Sequence, residues 1–158
     1  MNSELQSQLL IYSTSTRKLL SRVDVTPPHL PISAKQQLLT AELYINPLHP
    51  QTLYISNRGA LRLHDDQGED VNYGDKGDSI TVVLLDEDGS SVEEMKWVET
   101  GLDWIRGMKI GDDGRWLACA GEYGGGVEVY EISGERGEVM NLRARDEGIK
   151  DVNCVLWL

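Results

Sequence analysis

Two glutamates and two arginines occupy equivalent positions in two similar stretches of this sequence. Glu42 in the first stretch falls on Arg106 in the second, and Arg58 falls on Glu122. An arginine binds carboxylate or phosphate groups through its planar fork of N–H donors, so Arg58 and Arg106 are candidate binders of a small anion. A carboxylate can act as a general base for water, which makes Glu42 the candidate catalytic residue and Glu122 a further binding residue. The other interpretation is that these charges only form ion pairs, which hold neighbouring structural units in register.

The elements that position these residues are short strands separated by turns. Residues 41–58 (AELYINPLHPQTLYISNR) align without a gap on residues 105–122 (IRGMKIGDDGRWLACAGE). In both stretches two strand-like runs flank a turn, which contains prolines in the first and glycine with aspartate in the second. The run SITVVLL at 79–85 is typical of a buried strand, and VEVYEI at 127–132 alternates apolar and polar residues. The sequence therefore predicts an all-β chain with almost no helix.

The strands group in fours, and the group recurs after roughly forty to fifty residues, which is the signature of β-propeller blades. We predict a partial propeller with two complete four-stranded blades, at 40–101 and 102–148. The remaining segments are interpreted as the end of a preceding blade (7–26), a connector (27–39), an acidic insertion in the first complete blade (60–77) and a closing strand (149–158). A single β-sandwich is the other candidate fold, but it does not account for the gapless repeat.

The predicted blades are too few to close a ring, because propellers typically have about four to eight. Repeat units bury their faces only against their neighbours, so such an arc has two open flanks. We therefore interpret the sequence as the C-terminal arc of a longer propeller. A chain that self-associates through its open flanks is the alternative.

Composition restricts the partners and the compartment. The formal net charge is −11, which argues against nucleic acid or an anionic membrane as a partner. Cys119 and Cys154 lie in apolar runs and are expected to be buried free thiols, which suits the cytosol. Neither a signal peptide nor a membrane span is expected. No cofactor or metal is predicted, because the acidic residues around His64 do not have the spacing of a calcium loop.

The segments AELYINP, TLYISNRG, DSITVVLLDEDGS and IRGMKIGDDGRWLACAGE together resemble the lactonase family of seven-bladed β-propellers. That family includes the bacterial-type 6-phosphogluconolactonase and the fungal carboxy-cis,cis-muconate cyclase. The resemblance covers residues 40–130 densely and residues 7–26 weakly. It implies a lactone hydrolase of carbohydrate metabolism that acts on a small anionic lactone or carboxylate. A lactonizing cycloisomerase of the muconate type and a non-catalytic propeller remnant or binding module are the alternatives.

The sequence departs from the family pattern in two places. Family members usually have an uninterrupted Ser-Asn-Arg-Gly-X-Asp-Ser-Ile corner, whereas here residues 60–77 split it, beside the expected site. The catalytic histidine of the family is expected before residue 1, and neither His29, His49 nor His64 matches it. Trp104, which lies next to the second stretch, is either a ligand-stacking residue or an ordinary rim tryptophan.

Overall fold

The computed structural model describes residues 1–65, 67–70 and 77–158, which form three antiparallel sheets. The strands are β1 (Asn2–Ser3), β2 (Gln8–Tyr12), β3 (Leu19–Asp24), β4 (Leu39–Ile45), β5 (Thr52–Arg58), β6 (Ser79–Leu85), β7 (Val92–Glu99), β8 (Asp103–Ile110), β9 (Trp116–Gly124), β10 (Val127–Ser133) and β11 (Val139–Asp146). Helical structure in the described residues consists of α1 (Ile32–Lys35) and two 3-10 turns, Glu4–Gln6 and Ala60–Arg62.

The sheets are arranged like consecutive propeller blades. The first has the order β1-β2-β3, the second β4-β5-β6-β7 and the third β8-β9-β10-β11, and we call them the first, second and third blades. Strand β1 contacts β4, and β4 contacts β8, so the first strands of successive blades lie side by side. Inner strands of neighbouring blades have this relation around a propeller axis. The predicted all-β, partial-propeller fold is therefore confirmed.

The second blade is covered on both faces. Its strands β5 and β6 are buried along almost their whole length. Alternate side chains point to opposite faces of a strand. Those that pack in the cluster shared with the third blade are Tyr54, Ile80 and Val82. Those that pack in the cluster shared with the first blade are Leu53, Ile55 and Val83. A strand enclosed in this way has no solvent face, which explains the continuous apolar run SITVVLL.

Polar contacts join the second and third blades at the end where β4 turns into β5. The Tyr54 hydroxyl donates to the Gly137 carbonyl at 2.6 Å, and Asn46 Nδ2 donates to the Gly114 carbonyl at 3.2 Å. Gly114 and Gly137 have φ angles of 65° and 74°. A Cβ atom would approach Asn46 to 2.5 Å at Gly114 and to 2.8 Å at Gly137. We call these four residues, Asn46, Tyr54, Gly114 and Gly137, the interblade seam. In it, side-chain donors of the second blade bind glycine carbonyls in two turns of the third blade.

Replacing Tyr54 by phenylalanine is expected to lower the free energy of unfolding by about 1–2 kcal/mol. The Tyr54 hydroxyl is buried, accepts a hydrogen bond from Asn46 Nδ2 and donates to Gly137, so its loss leaves both groups short of a partner. Urea denaturation of the two proteins measures the difference. Tyr12→Phe is the matched control, because Tyr12 is 45% exposed. Equal losses in the two variants would show that the seam does not stabilise the chain through this hydroxyl.

The predicted closing strand at residues 149–158 is wrong. The structure has no strand there, and Asp151 has a left-handed φ of 57°, which interrupts an extended backbone. The segment lies along β8 instead. Trp157 Nε1 donates to the Lys109 carbonyl at 3.1 Å, and a Cβ atom on Gly107 would be 3.1 Å from the backbone nitrogen of Cys154.

Two further local expectations differ from the structure. Cys119 is a buried free thiol as predicted, but Cys154 is an exposed one. The four residues that follow it are apolar, yet the tail that carries them lies on the surface rather than inside a blade. The first blade has a third strand, because Asn2 and Ser3 pair with β2 next to the second blade.

Candidate functional site

The candidate site lies at the end of the second and third blades that is opposite the interblade seam, where β5 ends in Arg58. Asp78, which precedes β6, is completely buried. It accepts hydrogen bonds from the backbone N–H groups of Gly59 at 2.8 Å, Ala60 at 2.9 Å and Ile105 at 2.9 Å. Burial raises the pKa of Asp78 to about 6, although the three N–H groups act in the opposite direction. This carboxyl group joins the corner after β5 to strand β8.

Trp104 has an unusual backbone conformation next to this junction. Its φ angle is 65°, which places a bulky residue in the left-handed region. The pairing of β8 with β9 shifts on both sides of Ile105, and such bulges redirect side chains. A strained conformation of this kind persists only where neighbouring contacts hold it, and the bond from Ile105 to Asp78 is one of them. The indole of Trp104 lies 5.5 Å from the ring of Tyr123, centre to centre.

Arg58 is the most deeply buried of the four predicted site residues, with a side chain that is 9% exposed. Its guanidinium group forms an ion pair with Glu4, and its Cζ lies 5.2 Å from the centre of the Trp104 ring. Arg58 Nε is buried and has no hydrogen-bond partner among the described residues. Glu4 belongs to the 3-10 turn of the first blade, so the carboxylate that pairs with Arg58 lies outside the two aligned stretches.

Glu42 lies in an irregular part of β4. The pairing with β5 shifts between Thr40 and Leu43, and the Glu42 N–H donates to Ser56 Oγ at 3.0 Å instead of to the neighbouring backbone. Burial raises the pKa of Glu42, and the positive charge of Arg58 opposes this rise. A carboxyl group with a raised pKa is a stronger base when it is ionised, so the environment of Glu42 suits proton transfer.

Arg106 and Glu122 form the second pair of predicted residues. Arg106 lies in the bulged part of β8, as Glu42 lies in the irregular part of β4, so the alignment also matches two backbone irregularities. Arg106 Nη1 is 3.5 Å from Glu122 Oε2, and their side chains are 54% and 25% exposed. Within the described parts of the chain, no hydrogen bond or ion pair links this pair to Arg58 or Glu42. The four predicted residues therefore form two separate groups, with Glu42 and Arg58 in the second blade and Arg106 and Glu122 in the third.

Three residues that the sequence did not single out complete the surroundings of Trp104. Arg62 Nη2 is 2.9 Å from Asp103 Oδ2, and the Arg62 Cζ lies 4.7 Å from the ring centre of Tyr123 and 5.8 Å from that of Trp104. Asp103 Oδ1 is buried without a hydrogen-bond partner in the described chain. In the sequence, the run of aromatic and charged residues from Asp103 to Arg106 could have indicated this part of the site. Arg62 could not be singled out from the sequence, because it belongs to a segment that is acidic overall.

The acidic residues around His64 do not form a metal-binding cluster where the structure describes them. His64 Nδ1 lies 2.9 Å from Asp70 Oδ1, and both side chains are exposed. Residues 1–65, 67–70 and 77–158 contain no group of three or more histidine, cysteine, aspartate or glutamate side chains that could hold a metal ion. Asp66, one of the acidic residues near His64, lies outside the described residues.

Sequence and structure comparisons identify similar proteins. A family model described as "Lactonase, 7-bladed beta-propeller" matches residues 1–157. A search of curated proteins finds no match. No helix in the described residues is long and apolar enough to cross a membrane.

Three solved structures share the fold at low sequence identity. A candidate 6-phosphogluconolactonase from Bacteroides fragilis is 14% identical, with a TM-score of 0.70 over 96% of this chain and 36% of that one. A protein from Lactobacillus plantarum is 18% identical, with a TM-score of 0.71 over 97% of this chain and 39% of that one. A candidate 6-phosphogluconolactonase from Bacteroides uniformis is 15% identical, with a TM-score of 0.68 over 94% and 36%. The chain therefore spans less than two fifths of each of these structures.

Proposed function

Because the chain belongs to the lactonase family of seven-bladed β-propellers, we propose that it binds a small anionic lactone and opens the lactone ring by hydrolysis. The observation that carries the proposal is the environment of Arg58. This arginine is almost completely buried beside Trp104, and its Nε has no partner among the described residues. Glu42, which has a raised pKa, is close enough to Arg58 for the two charges to interact. The names of the structures from the two Bacteroides species agree with a lactone substrate.

The proposed reaction needs one base and one anion binder. Glu42 removes a proton from water while the water oxygen attacks the carbonyl carbon of the lactone. The bond between this carbon and the ring oxygen then breaks, and Glu42 returns the proton to the departing oxygen, which gives a hydroxy acid. Arg58 binds an anionic group of the substrate through its fork, with Arg106 and Glu122 as outer binding residues. The indole of Trp104 offers a flat face to the ring.

Two alternatives have the same site. Ring closure of a muconate-type carboxylate is the reverse kind of reaction, and it would use Glu42 for proton transfer and Arg58 for binding. A specific observation favours a non-catalytic remnant: each arginine of the site already has a carboxylate partner. These partners are Glu4 for Arg58, Asp103 for Arg62 and Glu122 for Arg106.

We further propose a role in carbohydrate metabolism, in the cytosol. A sugar lactone is the substrate class that fits a site with both charged and aromatic groups, and the buried free thiol of Cys119 suits a reducing compartment. With a net charge of −11, nucleic acid and anionic membranes are not proposed as partners. We also propose that copies of this chain associate with one another, so that each copy covers the apolar flank of a blade that has no neighbouring blade within its own chain.

The rate of acid release from a sugar δ-lactone, followed by titration at constant pH, tests the proposal. The chain is expected to exceed the buffer rate, and Arg58→Ala is expected to reduce the enzymatic rate at low substrate by about tenfold, as the loss of one charge-assisted hydrogen bond would. Arg106→Ala is expected to have a smaller effect, since Arg106 is more exposed. Arg143→Ala is the matched control, because Arg143 pairs with Glu131 on the outermost strands of the third blade. A wild-type rate equal to that of buffer would favour the non-catalytic alternative.

A further inference from the structure

Asp78 is held by its backbone as well as by its side chain. Its N–H donates to the Leu102 carbonyl at 2.8 Å, and its carbonyl accepts from the N–H of Thr100 at 2.9 Å and from Thr100 Oγ1 at 2.7 Å. The carboxyl group accepts three more bonds, all from backbone N–H groups of the corner after β5 and of β8. Because backbone and side chain are both bonded, the orientation of the carboxyl group is fixed, and the segments bonded to it are placed relative to it.

The first two of these N–H groups follow Arg58 directly. Gly59 and Ala60 both donate to Asp78 Oδ1, at 2.8 Å and 2.9 Å. Gly59 has a φ of 98°, and a Cβ atom added to it would lie 3.5 Å from Cζ3 of Trp104. The corner therefore approaches the indole closely, and the Cζ of Arg58, one residue earlier, lies 5.2 Å from the centre of the same ring. One oxygen of Asp78 thus determines where the backbone presents Arg58.

The third N–H group follows Trp104 directly. Ile105 donates to Asp78 Oδ2 at 2.9 Å, within the part of β8 whose pairing with β9 is shifted. The φ of Trp104 is 65°, a conformation that a tryptophan keeps only where neighbouring contacts impose it. The second oxygen of Asp78 supplies such a contact. The two ends of the contact between Arg58 and Trp104 are therefore both fixed by one carboxyl group.

We infer that Asp78 is a positioning residue for the proposed reaction, which holds Arg58 beside the indole of Trp104 in the geometry that binds the anionic group of the substrate. This inference rests on the proposed function. Asp78 is completely buried, so its carboxyl group acts through the residues that it holds and not by contact with the substrate. A guanidinium group binds an anion through a directional fork, so a small change in its orientation weakens binding.

Glu42 is held in a different way, which makes the inference testable. Its backbone N–H donates to Ser56 Oγ, and among the described residues no hydrogen bond links it to Asp78. A change at Asp78 should therefore weaken substrate binding and leave proton transfer by Glu42 nearly intact. A residue that only stabilises the fold would have no reason to separate these two effects.

Hydrolysis of a sugar δ-lactone by the full chain tests the inference, under conditions where circular dichroism shows every variant to be folded. Asp78→Asn is the informative variant, because its amide oxygen keeps the bonds from Gly59 and Ala60 while its NH₂ group opposes the N–H of Ile105. It is expected to raise KM about three- to tenfold, up to the loss of one charge-assisted hydrogen bond, and to change kcat less than about twofold. In the Arg58→Ala background the same substitution is expected to change KM less than about twofold, because the residue through which Asp78 acts is absent.

The NMR signals of the tryptophan indole N–H groups provide a readout that does not depend on turnover. The signal of Trp104, identified by its absence from Trp104→Phe, is expected to shift in Asp78→Asn. Tyr54→Phe is the matched control. It also removes buried hydrogen bonds, but at the opposite end of the blades, so it is expected to leave both this signal and KM as in wild type.

The outcomes separate this inference from the proposed function. An unchanged Trp104 signal or KM in Asp78→Asn, or a KM that rises equally with and without Arg58, overturns the role of Asp78 and leaves the proposed function in place. The same is true if Tyr54→Phe raises KM as much as Asp78→Asn does, or if Asp78→Asn lowers kcat alone. A wild-type rate equal to that of buffer overturns both proposals.

Discussion

Asp78→Ala is expected to lower the free energy of unfolding by about 3–6 kcal/mol, which is the cost of leaving three buried N–H groups without an acceptor. Those groups belong to Gly59, Ala60 and Ile105. Asp78→Asn is expected to lose about half as much. Its amide oxygen can still accept from Gly59 and Ala60, but its NH₂ group would face the N–H of Ile105. Urea denaturation monitored by circular dichroism measures both losses.

The effect of Asp78→Ala depends on pH in a defined direction. The pKa of Asp78 is raised from 3.8 in the unfolded chain to about 6 in the folded protein, so the folded state binds the proton more tightly. Its contribution is fully present below pH 3.8 and falls as the pH rises through about 6. The difference between wild type and Asp78→Ala should therefore be largest in acid and narrower at neutral pH.

A suitable control for this experiment is Asp86→Ala. The Asp86 carboxylate also accepts several hydrogen bonds, from Ser90 and Ser91, but it lies in an exposed turn. Its removal should change the free energy of unfolding much less, since water can replace the carboxylate as acceptor. If the two variants lose equal stability, the junction between β5 and β8 does not depend on the buried Asp78 carboxyl group.

Glu42→Gln is expected to reduce kcat for lactone hydrolysis about 100-fold or more, within the range of general-base catalysis. The amide has nearly the same shape but cannot accept a proton from water. Because Arg58 remains, the affinity for a ring-opened product should be almost unchanged. This split between turnover and binding distinguishes a catalytic residue from one that merely supports the fold.

The pH dependence of hydrolysis provides a second measurement on Glu42. A general base must be ionised, so the wild-type rate should rise with pH through the pKa of Glu42, which lies above the ordinary value of 4.5. This rise should be absent from the residual rate of Glu42→Gln. Glu94→Gln is the control, because Glu94 is an exposed residue of β7. A Glu42→Gln profile that keeps the wild-type shape would assign the base to another residue.

Local sequence patterns were sufficient to predict the blades. Strand spacing, turn residues and the gapless repeat are short-range signals, and the strands that they predicted assemble into the second and third blades. The alignment also related Glu42 to Arg106, which both lie where strand pairing is irregular. A repeat preserves the backbone path, so equivalent positions in two blades can be found without a structure.

Partners that come from distant parts of the chain could not be predicted in this way. Glu4 pairs with Arg58 because a 3-10 turn of the first blade packs against β4 and so brings Glu4 to the end of β5, and no sequence spacing encodes that distance. Glu128 is another example. The pattern V-E-V-Y-E-I suggests an outward glutamate, yet Glu128 is completely buried and bonds to Gly101 N–H, Tyr130 and Arg145. Which face of β10 is buried therefore depends on contacts with residues outside this strand, and the alternation within β10 alone does not reveal them.

The interblade seam has a consequence for how these blades can change over evolutionary time. Asn46 and Tyr54 fill the space that Gly114 and Gly137 leave empty. A side chain gained at either glycine would be tolerated only after a residue of the other blade had become smaller. Neither blade can drift alone at these positions, and a duplicated blade inserted between them would need to carry both the donors and the glycines. Substitutions in the two blades are therefore expected to be coupled at these four positions.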